Sequence, residues 1–356
     1  KNSNLCGETC SGREEIIYAG SNGGMLHAFS VASGEEKWAF IPPSLINSFR
    51  QMVPLSTGSS NAIYGVDGTP IVKDVFYDNE WRTVLLGGLR QGGKSYFALD
   101  VTNPNEPEHL FTFESDPQNN KISYWNSAGI KTDYTFNNVP DEYNYSTLGE
   151  SWSTPFINRI TIDGVEKWTA IIGGGFNSGI NESYGAQLFV INLEDGGKII
   201  NNLTIADGST TNNIANAVPP RVTAITADST PLITAAGAIV YMADLEGQLW
   251  KINLTNEGTM YEMQRVFNAQ ATQANGRFSF QETAAAITTD NHIMHFIGTG
   301  NAQGLGDKSG DIANQFYGIK DKNFPGFTAS TTFTTSSMAD VLDGACPATS
   351  QDGWYM

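Results

Sequence analysis

Basic residues are scarce in this chain: 20 lysines and arginines stand against 37 aspartates and glutamates, a formal net charge of −17 at pH 7. A surface of that sign repels nucleic-acid phosphates and anionic lipid headgroups, which excludes DNA, RNA and bare membrane as favoured partners. Long apolar runs are missing as well. No stretch approaches the roughly 18 apolar residues of a membrane span, and no charged-then-apolar leader opens at Lys1, so export has to be argued from elsewhere. Histidine is sparse, with His27, His109, His292 and His295 scattered on or beside predicted strands. No histidine is accompanied by a motif such as G-x-S-x-G, and no serine triad can be assembled. The paired carboxylates Glu14-Glu15, Glu35-Glu36 and Asp141-Glu142 sit in turns or polar segments, where solvated charge is expected.

Cysteine is nearly absent too, with three in 356 residues. Cys6 and Cys10 share a short polar segment in which Gly7 helps a turn, so a disulfide between them is sterically open. Cys346 lies near the other end, and its pairing is left open: Cys6, Cys10, a cysteine beyond Met356, or none. A zinc site would need two further ligands at usable spacing. Only 16% of residues are charged, while Asn, Thr, Ser and Gly abound, a composition that suits extracellular β proteins.

What is present is repetition. Ile16 to Phe40 reads as three strands, Ile16 to Ala19, Met25 to Val31 and Glu36 to Phe40, joined by the turns Ser21-Asn22-Gly23-Gly24 and Ala32-Ser33-Gly34-Glu35. Asn-Gly and Gly-Gly supply the positive φ angles that short hairpins need. The cassette returns at Thr83 to Phe113, Trp168 to Ile200, Ala238 to Phe267 and His292 to Ile319. Four copies are preceded by a further candidate strand: Thr69 to Asp74, Ser153 to Asn158, Arg221 to Thr226 and Thr283 to Thr288. Recurring sets of four strands predict an all-β fold, a β-propeller of four-stranded antiparallel blades with long loop insertions.

Residues 1–15 then form a polar lead-in with the Cys pair, and 16–356 the propeller. Ser44 is expected to cap a short helix in SLINSFRQM, and Ser337 with Asp340 a second one through Leu342, stopped at Gly344. Thr112 to Glu150, Gly173 to Gly185 and Asn301 to Ala313 read as long polar insertions, where recognition on a rigid scaffold is expected. Five legible blades, followed by Gly353-Trp354-Tyr355-Met356 as the start of another, predict a propeller incomplete at its C-terminal end.

Gly88-Leu89-Arg90-Gln91-Gly92-Gly93-Lys94-Ser95 matches the phosphate-loop pattern. That chemistry needs the loop to run into a helix N-terminus. Here it runs into the strand-like Tyr96-Phe97-Ala98-Leu99-Asp100-Val101, so a hairpin tip is expected. The blade-one pattern resembles the repeats of pyrroloquinoline-quinone dehydrogenases and of outer-membrane assembly lipoproteins, in which the tryptophan packs between blades; this implies a packing role for Trp38. A periplasmic quinoprotein-like dehydrogenase and an outer-membrane assembly scaffold are therefore the alternative readings. The vicinal cysteine pair expected of the former is missing.

The blocks IYAGSNGGMLHAF with AFIPPSLI, YGVDGTPIVKD, LLGGLRQGGKSYFALDVTNP, SWSTPFI, GGGFNSG, VYMADLEGQLWKINL and FIGTGN with GDIANQFYGI follow one another. In that order they resemble the C-terminal propeller of the PilC/PilY family of type IV pilus biogenesis factors and tip adhesins. The resemblance runs from about Ile16 to Met356. It implies a non-enzymatic, secreted protein at the pilus tip or bacterial outer surface, reached through the periplasm. Its implied partners are minor pilins and the tip complex on one side and a host or abiotic surface on the other, with twitching motility as the dependent behaviour. Family members commonly carry a calcium loop of alternating Asp and Asn before the strand that reads here as Ile239 to Ala243. Asp228 is the one carboxylate left in that loop, and one carboxylate cannot build a six- to eight-coordinate calcium site. No cofactor is expected, and calcium only through this remnant. The Arg-Gly-Asp tripeptide of some relatives is absent, so integrin binding is not carried over.

Overall fold

Hairpin chemistry sets the architecture. The computed structural model describes residues 13–52, 63–177, 184–205, 216–233, 235–270, 279–306, 314–327, 332–342, 344, 346–348 and 350–356. These residues form five sheets, each built from consecutive stretches of chain. Blade one holds β1 (Ile16–Gly20), β2 (Leu26–Ser30) and β3 (Glu36–Phe40). Blade two holds β4 (Ile71–Tyr77), β5 (Glu80–Gly88), β6 (Ser95–Asp100) and β7 (Glu108–Asp116), continued by β8 (Lys121–Trp125) and β9 (Lys131–Thr135). Blade three is β10 (Phe156–Ile162), β11 (Val165–Gly173), β12 (Gln187–Asn192) and β13 (Lys198–Thr204). Blade four is β14 (Thr223–Thr226), β15 (Gly237–Ala243), β16 (Gln248–Thr255) and β17 (Met263–Asn268). Blade five joins β18 (Ala284–Ile287), β19 (Ile293–Gly298) and β20 (Phe316–Asp321) to β22 (Gly353–Tyr355), with the short β21 (Ala339–Asp340) parallel to β22 at the edge. The expected β-propeller of antiparallel blades is what forms.

The tightest hairpins follow from two-residue turns that tolerate positive φ. Asp78 and Asn79 (52° and 61°) join β4 to β5, and Asp163 and Gly164 (51° and 78°) join β10 to β11, the geometry that matches the twist of paired strands. A bulge interrupts the pairing of the last two strands of blade one, and of the third and fourth strands of blades two and three, at an equivalent step: Ala28/Phe29, Ala98/Leu99 and Val190/Ile191. In blade four it falls two residues earlier, at Leu249/Trp250.

Four apolar cores lie between successive blades. Leu26, Leu85 and Phe97 join blades one and two; Phe111, Phe113, Ile172 and Phe189 join two and three. Leu188, Val190, Val240 and Ile252 join three and four; Tyr241, Leu249, Ile297 and Ile319 join four and five. Each sheet is thus buried by its neighbours, as stacked blades require. Trp38 serves this packing as expected: its indole N–H donates to Pro104 O of blade two at 2.9 Å, and its ring leans on Tyr18 at 5.7 Å.

Several local expectations are corrected. Ser44 caps no helix. The segment is helical as expected, a 3₁₀ turn through Ser48 running into a short α-helix, Phe49–Met52. Pro42, however, holds the N-cap position with Pro43 opening the turn, since proline's fixed φ suits a first turn, and Ser44 Oγ accepts from Ser95 Oγ instead. No helix spans 337–342: a 3₁₀ turn at Thr335–Ser337, capped by Thr334, leads into β21. Thr112 to Glu150 is no loose insertion but carries the end of β7, the β8–β9 hairpin and three 3₁₀ turns. Its Tyr145, fully buried, stacks on Phe113 at 3.7 Å and donates to Gly197 O. Gly353 to Tyr355 begins no new cassette; it pairs with β20 as the fourth strand of blade five.

Candidate functional site: the turn face and the cleft between blades four and five

Antiparallel topology brings to one end of the sheets the turns between second and third strands (in three-stranded blade one, between β1 and β2) and the segments that lead into each first strand. These are stitched to one another by backbone hydrogen bonds. Val66 N–H donates to Ser21 O (3.1 Å), Asp67 to Leu89 O (3.3 Å) and Arg90 to Ser151 O (3.2 Å). Ser151 donates to Gly93 O (3.0 Å), Glu150 to Phe176 O (2.8 Å), Gly175 to Val218 O (3.0 Å) and Leu245 to Ala217 O (3.0 Å). The turns of blades two and three therefore hold both their own lead-in and that of the next blade. Such contact needs backbones to touch: a Cβ on Gly92 would lie 1.9 Å from Gly65 O, and one on Gly175, at φ +92°, 2.0 Å from Glu150 O.

An aromatic cluster locks this face. Trp152 and Phe176 of blade three and Phe280 of blade five stand 5.3 to 5.5 Å apart, ring to ring, over Ala217 and Leu245 of blade four. Arg90 of blade two lays its guanidinium 3.9 Å above the Trp152 ring and pairs with Asp67 at 3.0 Å. The Trp152 indole donates to Glu150 Oε2 at 2.9 Å, and burial raises the Glu150 carboxyl above its ordinary range against that bond. Every charge here has a partner, so the cluster acts as a joint between blades.

The junction of blades four and five is built differently. Blade four places Lys251 where blades one to three place Ala28, Ala98 and Val190, and its side chain is fully buried. Its ammonium donates to Asp321 Oδ2 (2.8 Å) and Gly326 O (2.6 Å) and lies 4.7 Å from the Phe327 ring centroid. Tyr241 O–H donates to the same Asp321 Oδ2 at 2.7 Å. The His295 ring packs 4.0 Å from Tyr241, with Nδ1 3.1 Å from Thr283 Oγ1 and Nε2 buried without a hydrogen bond. Burial drives the imidazole down to about 3, so it is neutral. Burial also lowers Lys251, against the pull of Asp321.

Above this junction opens a cleft of about 580 Å³. Leu232, Ile233 and Ala235 from the β14–β15 connection form one wall, Glu257 and Glu262 beside the β16–β17 turn a second, and Pro325, Gly326 and Phe327 after β20 a third. The turn is preorganised by Asn253, whose amide donates to Glu257 O (2.8 Å) and Thr259 O (3.0 Å).

Asp228 is exposed in the same β14–β15 connection, in a turn closed by Ser229 N–H to Thr226 O at 2.9 Å. No group of three or more His, Cys, Asp or Glu that could hold a metal occurs among the described residues. Cys6 and Cys10 lie outside the described residues, as do 178–183 and 307–313 of the second and third insertions; Cys346 is an exposed free thiol. Gly88 to Ser95 runs from β5 to β6 as a hairpin, with Lys94 above the Tyr184 ring at 4.7 Å. One set that sequence reading did not assemble is brought together on blade one. His27 Nε2 lies 3.0 Å from Ser21 Oγ and its Nδ1 2.8 Å from Glu36 Oε1. The spacing of hydroxyl, imidazole and carboxylate is that of a nucleophile relay. Ser21 Oγ also reaches Met25 O of its own turn at 3.2 Å, so the set braces the turn to β2 and β3. The other missed residues are Lys251, Tyr241, Asp321 and His295; the signal was a lysine in a register held by small apolar residues elsewhere.

The fold and its stitched turns define a β-propeller of the type built from recurrent four-stranded blades. The family model described as the PilY1 beta-propeller domain matches residues 2–336, and the chain belongs to that family. Among curated relatives, the type IV pilus biogenesis factor PilY1 of Pseudomonas aeruginosa is 30% identical over 243 residues, covering 68% of this chain and 17% of the relative. A PilY1 homolog of Xylella fastidiosa is 28% identical over 357 residues, covering 97% of this chain and 25% of the relative. The chain thus spans a quarter or less of the length of these two relatives. The solved C-terminal domain of Pseudomonas aeruginosa PilY1 shares the fold, with a TM-score of 0.65 at 23% identity over 98% of this chain and 71% of that one.

Proposed function

We propose that this propeller is the rigid docking platform of a type IV pilus biogenesis factor. It engages minor pilins at the fibre tip, meets a host or abiotic surface, and performs no catalysis. One observation carries the reading: the match to the PilY1 propeller family along residues 2–336, with relatives named as pilus biogenesis factors. The architecture supports it, because stacked blades with interlocked turns hold a surface in fixed shape, and preorganised surfaces bind without an ordering cost. On this reading the protein is secreted through the periplasm to the cell surface, and the Asp228 loop gates nothing through calcium.

Shearing pili from cells and probing the sheared, periplasmic and outer-membrane fractions tests this. The chain is expected with the fibres and depleted from them when minor pilins are deleted, with piliation and twitching lost in its own deletion. Normal pili in a clean deletion would refute the role.

A further inference from the structure

The cleft between blades four and five has walls of opposite character. Leu232, Ile233, Pro325 and Phe327 give it an apolar side, and Glu257 and Glu262 an acidic one. Neither carboxylate makes a hydrogen bond or ion pair among the described residues, whereas the one cation beneath them, Lys251, is already bound to Asp321 and Gly326. Asp321 and Glu262 both act on that ammonium, so two carboxylates face one cation while Glu257 lines the same cleft, in a chain whose net charge is −17. The field at the mouth therefore favours a cation, focused by low-dielectric walls. A metal ion needs more oxygen ligands than two glutamates supply. A side chain with an apolar stem and a cationic head satisfies both walls: the stem lies on Leu232 and Ile233, and the head reaches the glutamates. The volume suits one or two residues of an extended segment.

We infer that this cleft is a binding site for a lysine or arginine side chain presented by an extended, apolar-flanked segment of a partner protein. The inference goes beyond the pilus reading, since the cleft takes such a segment whichever assembly presents it.

The test uses the whole chain and a fluorescent peptide, acetyl-Gly-Ile-Lys-Ile-Gly-amide, with norleucine or glutamate in place of lysine as comparators. Binding to the lysine peptide is expected to weaken with added salt. It is expected to fall about tenfold in Glu257→Gln/Glu262→Gln, the loss of one charge-assisted hydrogen bond, and to fall again in Leu232→Ala. Glu257 and Glu262 line the cleft alone, whereas Leu232 also packs against the core between blades four and five, and matching circular dichroism and melting temperatures show that the variants fold. Equal affinity for the lysine and norleucine peptides, no change in the glutamine variant, or no binding at millimolar peptide would each overturn the site. A pilus defect without loss of peptide binding refers to the platform reading, and loss of peptide binding with normal pili refers to the cleft alone.

Discussion

At the scale of single residues the buried junction of blades four and five governs response to acid. His295 is neutral in the fold because burial holds it near 3, while an unfolded histidine titrates near 6.5. Between those values the unfolded chain binds the proton and the folded chain does not, so stability is lost as pH falls from about 6.5 towards 3. The slope from this group reaches at most about 1.4 kcal/mol per pH unit. His295→Phe keeps a ring beside Tyr241 and removes the titration. Urea melts from pH 7.5 to 4 are expected to show wild type losing stability more steeply than the variant below pH 6.5; parallel curves would exclude the role. Glu114 and Asp244, raised by burial to about 7 and about 6, bind protons in the fold and slope the opposite way, which is why the comparison with the variant, rather than the bare profile, is informative. None of this was legible in the sequence. Lys251 and Asp321 are in different blades, and a strand pattern says which side chains share a face but not which partner across a blade junction neutralises a buried lysine.

At the scale of elements, the hairpins of blade one were legible because their turn residues specify them. Ser21-Asn22-Gly23-Gly24 and Ala32-Ser33-Gly34-Glu35 mark their turns by glycine, whereas Asp78-Asn79 and Asp163-Gly164, which close β4–β5 and β10–β11, lie beyond the strand ends expected at Asp74 and Asn158. The β8–β9 hairpin was not legible, since KISYW and KTDYT mix polar and aromatic residues without a run, and its tie to blade three comes from Tyr124, which donates to Gly196 O. A quieter repeat also escaped notice: the third strands of blades two to five carry Asp100, Asn192, Asn253 and Asp321 at equivalent positions, at the strand end in all but blade four. Each carboxylate or amide oxygen accepts the N–H two residues on, at 2.9 to 3.0 Å. The stitched turns give a prediction at this level. Gly92→Ala drives a methyl into Gly65 O, a backbone atom that cannot rotate away, and is expected to destabilise by about 1–3 kcal/mol or more. Gly300→Ala, with nothing within 4 Å of the new Cβ, is expected within about 0.5 kcal/mol of wild type. Chemical denaturation of the two variants decides it; equal midpoints would mean the turn face yields freely.

At the scale of the whole molecule, stability is distributed by the order of the blades. Blades two, three and four are each covered by two cores, whereas among the described residues blade one packs on blade two and blade five on blade four. In such an array the free energy of opening a unit is its own stability plus the interfaces it must break. The central strands β6 and β16 are buried at every position, while β18 is exposed at every position and β1 at three of five. Amide hydrogen exchange is therefore expected to be slowest in β6, β12 and β16 and fastest in β18 and β1, with blade five opening before blade four. The buried Lys251–Asp321 pair modulates this order. Lys251→Ala strands the Asp321 carboxylate in the junction, and breaking one side of a buried pair costs about 3–5 kcal/mol. Protection in β19 and β20 should then drop while β6 stays unchanged. Equal loss across all five blades would mean that the propeller opens as one cooperative unit and that its junctions do not act separately.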